Sequence, residues 1–298
     1  MPTTTPNTAH SRKGPLFMVA ASVCWSLGGL CIKFIPWSAM SIVGLRALLA
    51  AVVFAMFRRS VKIDFTPGNI LGALCLSATT LLFVFANKTT TAAAAILLQF
   101  TAPVFIILIE LIFHRKRPKP SELIAVSVTI AGMLFFFAGK LEQGSLLGNI
   151  FAILSGLFFA GVFVCNKRPD TNPEHALFLG FLINAAIGLP FAFTSVTADA
   201  VAWGFMLLLG VVQVGLAYVF FSVGIRRTPA LFACLITALE PVLNPVWVYL
   251  ATGEQPGPFA LAGGAVIVLT VVLYNIWLEC QQTRRHISEK SIDNRSPL

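Results

Sequence analysis

Along most of this chain, polar residues do not alternate with apolar ones. They are swept to the ends of long apolar runs. Runs of about 20 residues read as membrane-spanning helices. They fall near 15–35, 38–57, 68–87, 91–113, 121–139, 145–166, 175–196, 200–223, 229–250 and 257–278. Each is apolar on every side rather than along one stripe, which argues against a soluble helical bundle. The pattern predicts an all-α integral membrane protein of ten transmembrane helices. Its polar ends, 1–13 and 282–298, read as unstructured tails.

The runs repeat. With an offset of 134, Gly14, Phe17, Cys31 and Lys33 return as Gly148, Phe151, Cys165 and Lys167. With an offset of 138, Thr90, Ala92, Ala95, Leu97, Pro103 and Val104 return as Thr228, Ala230, Ala233, Leu235, Pro241 and Val242. Two halves follow, 14–140 and 141–281, each with five spans. An odd number of crossings inserts the second half upside down. Two inverted repeats around a midplane site are a common plan of alternating-access carriers.

Composition agrees with a lipid setting. Hydrophobic residues make up 57% of the chain and charged residues 11%, against roughly 25% charged in soluble domains. The net charge is +9. Its basic residues sit in short loops, which sets membrane orientation and leaves no continuous basic face for nucleic acid. With the N-terminus in the cytoplasm, only Lys33, Lys88 and Lys140 fall at outer ends and Arg46 inside a span. The other basic residues lie on the cytoplasmic side, as do both termini. The six cysteines form no CxxC or Cys/His cluster, so neither a metal site nor a disulfide framework is expected.

No nucleotide-binding loop, HExxH or GxSxG occurs. That turns attention from enzymes and ATP-driven pumps to a carrier without cofactors. Pro103 and Pro241 fall midway along spans four and nine. Mid-helix prolines break the backbone ladder, and breaks at matching places in two halves point to the binding region and to gating. Glu240 is the carboxylate deep in a span. A charge there costs at least about 3 kcal/mol by insertion scales, so it faces a cavity or a partner. Arg46, inside span two, and Lys33, ending span one, are candidates to attract a carboxylate. Thr79, Phe83 and Asn87 share a face of span three. Phe159 and Phe163 share one on span six, while Trp25, Gln99, Tyr218 and Asn244 complete a cavity of aromatic walls with few polar anchors.

Several segments resemble the drug/metabolite transporter superfamily, in its EamA-type ten-helix branch. Trp25-Ser26-Leu27-Gly28-Gly29 followed by Lys33 is similar to that family's span-one pattern. Arg46-Ala47-Leu48-Leu49-Ala50 resembles its Arg-led span-two motif. Gly215-Leu216-Ala217-Tyr218 through Arg226-Arg227-Thr228-Pro229-Ala230 resembles its link from span eight to nine. Leu239-Glu240-Pro241 and Gly253-Glu254-Gln255-Pro256 resemble its ending. His114-Arg115-Lys116-Arg117-Pro118 stands where the first half often repeats Gly-Glu, so that loop inherits no role. The resemblance implies outward transport of small metabolites without ATP, and is nearest to bacterial aromatic amino acid exporters. The expectation is an inner-membrane secondary carrier for amino acids, aromatic ones included. Its partners are these substrates and the lipid bilayer, and a monomer is compatible with it. Export of another metabolite or a cationic drug, or a passive pore, are the alternatives.

Overall fold

The computed structural model describes residues 13–28, 31, 34–90, 92–138, 145–252 and 257–293, and these are helical apart from turns and short links. In chain order they form α1 (Lys13–Trp25), α2 (Ala39–Arg58), α3 (Pro67–Thr89), α4 (Ala92–Gln99), α5 (Ala102–Phe113), α6 (Pro120–Phe137) and α7 (Leu146–Cys165). There follow α8 (Pro173–Ser195), α9 (Ala200–Leu207), a π-helical stretch (Leu208–Leu216), α10 (Ala217–Ile225), α11 (Ala230–Thr237), α12 (Leu239–Thr252) and α13 (Pro258–Asp293).

The sequence marks many of the boundaries. The Ser38 hydroxyl accepts from the Ser41 N–H at 3.2 Å and starts α2. Thr66 caps α3 in the same way, with Pro67 in the first turn, where a missing N–H leaves nothing unsatisfied. Arg59, in the left-handed region at φ 52°, closes α2. Asn172 and Asp199 cap α8 and α9.

Among the described residues, eight helices are long and apolar enough to cross a bilayer. Their outer faces are greasy: Met56, Phe113, Leu146 and Phe193 are 74%, 76%, 77% and 92% exposed. A water-soluble surface does not carry such a coat. The other two of the ten expected spans differ from the simple reading. The first is helical to Trp25 and turns at Ser26–Leu27, and part of its remainder lies outside the described residues. The ninth is a short apolar helix, Ala230–Leu243, interrupted at Ala238. Two further corrections apply. Span eight is one rod whose middle is π-helical rather than α-helical. The tail read as unstructured continues α13 through Asp293.

Helix contacts come in matched sets. The segment α3 packs on α7, and its counterpart contact is α10, with the π-helical stretch, on α1. α2 packs on the π-helical stretch, and α8 packs on α3. α2 with α8, and α6 with α13, pair mate to mate. This is the pattern a two-fold relation between the halves produces. The conserved echoes within the chain sit in reciprocal contacts. A Cβ on Gly14 would meet Arg227 and Thr228 within 2.9 Å, and one on Gly148 would meet Thr89 and Thr90 within 2.8 Å. Gly14 and Gly148 are mates, as are Thr90 and Thr228, so one small residue per half fits one threonine turn of the other.

A close backbone approach lies between mated helices. On α2 and α8, a Cβ on Gly44 would stand 2.4 Å from Gly188 carbonyl carbon, and one on Gly188 would stand 2.4 Å from Gly44 nitrogen. The two backbones touch, as small residues allow in membrane helices. Gly188→Ala should therefore push α8 off α2 and destabilise the protein by about 1–3 kcal/mol. A fall of several degrees in the thermal midpoint of purified protein in detergent checks it, with Gly204→Ala, where a Cβ meets open space, as the neutral control.

Candidate functional site

The two interrupted spans define the floor of a cavity. α4 ends at Gln99, and Phe100 and Thr101 form a turn before α5. The Thr101 hydroxyl donates to the Leu98 carbonyl at 2.6 Å. Pro103 then lies in the first turn of α5, where no N–H is required. The second half repeats this. α11 ends at Thr237, whose hydroxyl donates to the Cys234 carbonyl at 2.6 Å, and Glu240 and Pro241 open α12. Glu240 thus stands at a helix start, where the dipole favours a negative charge. The distortions expected at Pro103 and Pro241 fall a turn earlier, as tight turns at Phe100–Thr101 and at Ala238.

The cavity has a volume of about 110 Å³, and the space with its open mouth is about 700 Å³. Its lining brings together eight residues singled out from sequence: Trp25, Arg46, Thr79, Phe83, Gln99, Phe159, Tyr218 and Glu240. Aromatic rings make one wall. Tyr218 meets Trp25 and Phe181 edge-on at centroid distances of 5.0 and 5.3 Å. Polar bonds hold other parts of the lining. Gln99 Nε2 donates to Ser155 Oγ at 2.8 Å, and Ser155 Oγ donates to the Thr79 carbonyl at 3.0 Å. Ser77 Oγ donates to Asn184 Oδ1 at 2.8 Å.

Two ionisable groups, one acidic and one basic, share this space. Arg46 and Glu240 are each half-buried and feel each other's field. They are not joined as an ion pair; the pairs among the described residues lie elsewhere, at Lys116–Glu110, Arg168–Asp170, His175–Asp64 and Arg226–Glu174. Buried charges are retained in apolar surroundings where they face a partner or a solvated cavity. Here both face the cavity.

Not every expected residue lies there. Phe163 is fully buried behind the lining, packed on Phe159 at 4.9 Å and on Phe221 at 5.4 Å. It belongs to the core, because four residues along a helix advance about 40° beyond a full turn. The side chains of Asn87 and Asn244 lie outside the described residues, as does Lys33. Sequence reasoning missed Phe181, Asn184 and Gln213. The two amides carried a signal, since each is a lone polar side chain within an apolar span.

At the end of the bundle where α2 stops and α3 begins, a clasp joins the halves. The Thr66 hydroxyl donates to the Asp170 carbonyl at 2.6 Å, and the Gly68 N–H donates to Asp170 Oδ2 at 3.0 Å. The Asn172 N–H donates to Asn69 Oδ1 at 2.7 Å, and the Asp64 N–H to His175 Nδ1 at 2.8 Å. Arg226 bridges Asn172 and Glu174 at 2.6 and 3.1 Å. Hydrogen bonding from Arg168 holds the Asp170 carboxyl below the usual carboxylate range. Such a depressed group stabilises above its unfolded pKa, near 3.9, and loses that contribution as pH falls through the lower folded value. The clasp therefore keeps this contribution throughout the neutral range.

An all-helical chain with a greasy exterior, reciprocal halves and a charged cavity at its helix breaks has the build of a membrane transporter. The profile of the EamA-like transporter family matches it twice, over residues 12–138 and 146–276. The chain belongs to the EamA-like transporter family. It is 28% identical over 193 residues to an uncharacterized transporter of Archaeoglobus fulgidus, covering 64% of this chain and 70% of that one. It is 25% identical to the uncharacterized transporter YwfM of Bacillus subtilis, covering 90% of this chain and 95% of that one. Its fold resembles a solved crystal structure with a TM-score of 0.76 at 18% identity, covering 89% of this chain and 96% of that chain.

Asp170→Ala should open the clasp. The site-resolved labelling rates of Cys75 and Cys165, both buried between α3 and α7, are expected to rise several-fold with a thiol reagent, measured by mass spectrometry, while that of buried Cys31 stays constant.

Proposed function

We propose that this transporter is a bacterial inner-membrane carrier that exports amino acids, aromatic ones included. It crosses the membrane ten times as two inverted five-helix repeats, 14–140 and 141–281, with both termini in the cytoplasm. The observation that carries the substrate class is the pairing of Arg46 and Glu240 in one aromatic-walled cavity. A zwitterionic amino acid presents a carboxylate for the guanidinium and an ammonium for the carboxylate. Its side chain then lies against Trp25, Phe83, Phe159 and Tyr218.

Alternating access fits the broken spans. α5 and α12 can pivot about Phe100–Thr101 and Ala238 with little loss of backbone bonding, because those bonds are already interrupted. In this orientation the clasp of Asp64, Asp170 and His175 lies on the cytoplasmic side. Export then requires it to part so that cytoplasmic substrate can enter. The basic residues crowded at that face support the orientation.

A second reading has one observation in its favour. Glu240 among aromatic rings also suits a cationic drug. Arg46 in the same cavity opposes it, since a lone cation gains nothing from a guanidinium nearby. Proteoliposomes loaded with labelled phenylalanine separate the two. Saturable counterflow with amino acids, and weak competition by quaternary ammonium compounds, is the expected result; counterflow absent for every amino acid would reject the amino acid reading, and linear, unsaturable flux would reject a carrier altogether.

Two substitutions probe the charges. Arg46→Gln is expected to weaken phenylalanine transport at least about tenfold, as loss of a charge-assisted bond does, and to spare phenethylamine, which lacks the carboxylate. A carboxyl held in an apolar span and facing a cavity can carry a proton across the membrane, so Glu240→Gln is expected to abolish the dependence of transport on an imposed pH gradient while binding remains measurable. Equal gradient dependence in mutant and wild type would remove Glu240 from proton coupling.

A further inference from the structure

Gln213 is the amide that the cavity holds in the most constrained way. It stands within the π-helical stretch, lines the cavity and is 8% exposed. Its Nε2 donates to the Trp25 carbonyl at 3.2 Å. That carbonyl can only accept, so it dictates which end of the carboxamide is nitrogen. Oε1 is left facing away, and it makes no hydrogen bond. The other polar side chains of the lining with fixed partners, Gln99, Thr79 and Asn184, spend them on the protein's own groups. Gln213 keeps one acceptor in reserve.

Two features of the backbone hold this arrangement. A π-helical turn widens the helix and re-aims the side chains it carries, and such turns recur at functional sites. Gly28 supplies the space opposite: a Cβ there would come within 2.8 Å of Gln213 Nε2 and 3.2 Å of its carboxamide carbon. An unpaired buried acceptor costs the empty protein free energy. A residue chosen for stability alone would not retain it.

We propose that Gln213 is a specificity-determining residue whose Oε1 accepts an N–H from the substrate, so that the transporter selects ligands bearing a protonated amine. The inference deepens the amino acid reading and rests on it for the site, though not for the carboxylate. The terminal torsion of glutamine is broad. A small turn brings Oε1 to the cavity surface while Nε2 keeps the Trp25 carbonyl. The acceptor then adds a fixed, uncharged contact to the attraction of Glu240. A ligand without an N–H leaves Oε1 unpaired and is discriminated against for that reason.

The test compares three probes on purified protein: phenylalanine, phenethylamine and 3-phenylpropionate. The last lacks the amine and phenethylamine lacks the carboxylate. Binding is read by tryptophan fluorescence and stability by the thermal midpoint without ligand. Gln213→Leu is expected to leave the midpoint of the empty protein equal to or above wild type. It should weaken phenylalanine and phenethylamine about tenfold and leave 3-phenylpropionate unchanged. Gly28→Ala, which displaces the same carboxamide, should reproduce the loss of discrimination, and Gln213→Glu, which keeps an acceptor oxygen, should retain amine binding. A lowered midpoint with equal weakening of all three probes would make Gln213 a structural residue and overturn the proposal, as would undiminished amine binding in Gln213→Leu. Wild-type protein that binds phenethylamine but not phenylalanine would end the amino acid reading while leaving the role of Gln213 standing. Wild-type protein that binds none of the three would overturn both.

Discussion

A bilayer core offers no water to a stray N–H or C=O, so backbone left unpaired there must find protein or a wet cavity. That constraint organises this molecule. Its long helices are closed hydrogen-bonded rods with greasy exteriors. Three exceptions, the turns at Phe100–Thr101 and Ala238 and the π-helical stretch Leu208–Leu216, sit at or beside the lining of one cavity. Threonines patch the breaks by bonding their own preceding turns. Prolines follow where an N–H is not needed. The places that a lipid solvent forbids outside are collected inside, and the cavity that results is where charge is tolerable too.

Packing between the halves follows from the same solvent. Lipid gives no hydrophobic drive to press helices together, so association depends on close fit. α2 and α8 achieve it with Gly44 against Gly188, backbone on backbone. Gly14 and Gly148 make the reciprocal fits on either side. This explains which residues the two repeats still share. Gly14 with Gly148 and Thr90 with Thr228 are kept at contacts that occur twice, once in each direction. Residues facing the cavity occur once: Glu240 is matched by Ala102 and Gln99 by Thr237. The scaffold is nearly symmetric because each contact constrains its mate. The lining is free to diverge.

Much of this was legible in the chain. Run length gave the spans, since a bilayer imposes a fixed thickness. Paired prolines marked the breaks, because a missing N–H has one steric meaning wherever it falls. Lone charges in apolar runs marked the cavity, and Arg46 and Glu240 do face it. Less was legible where residue type has two readings. Phe159 and Phe163 form one stripe on paper, yet a 40° turn sends one to the cavity and the other to the core. The π-helical stretch has no composition of its own, since Leu, Val and Gly fit either helix. Gln213 was passed over for that reason, because its direction depends on the widened turn and not on its spacing.

That widened turn has a consequence for how such a protein changes over generations. A π-helical segment holds one residue more than the α-helix it replaces. Deleting a single residue there would restore the regular turn and leave the flanking α-helices close to their present orientation, because the wider turn already absorbs the extra residue. What would change is the aim of the side chains inside the stretch, Gln213 among them, while Gly44, Gly188 and the clasp were untouched. The mate of this rod, α3, is a plain α-helix, so one half alone carries a turn that can be tightened without moving its scaffold.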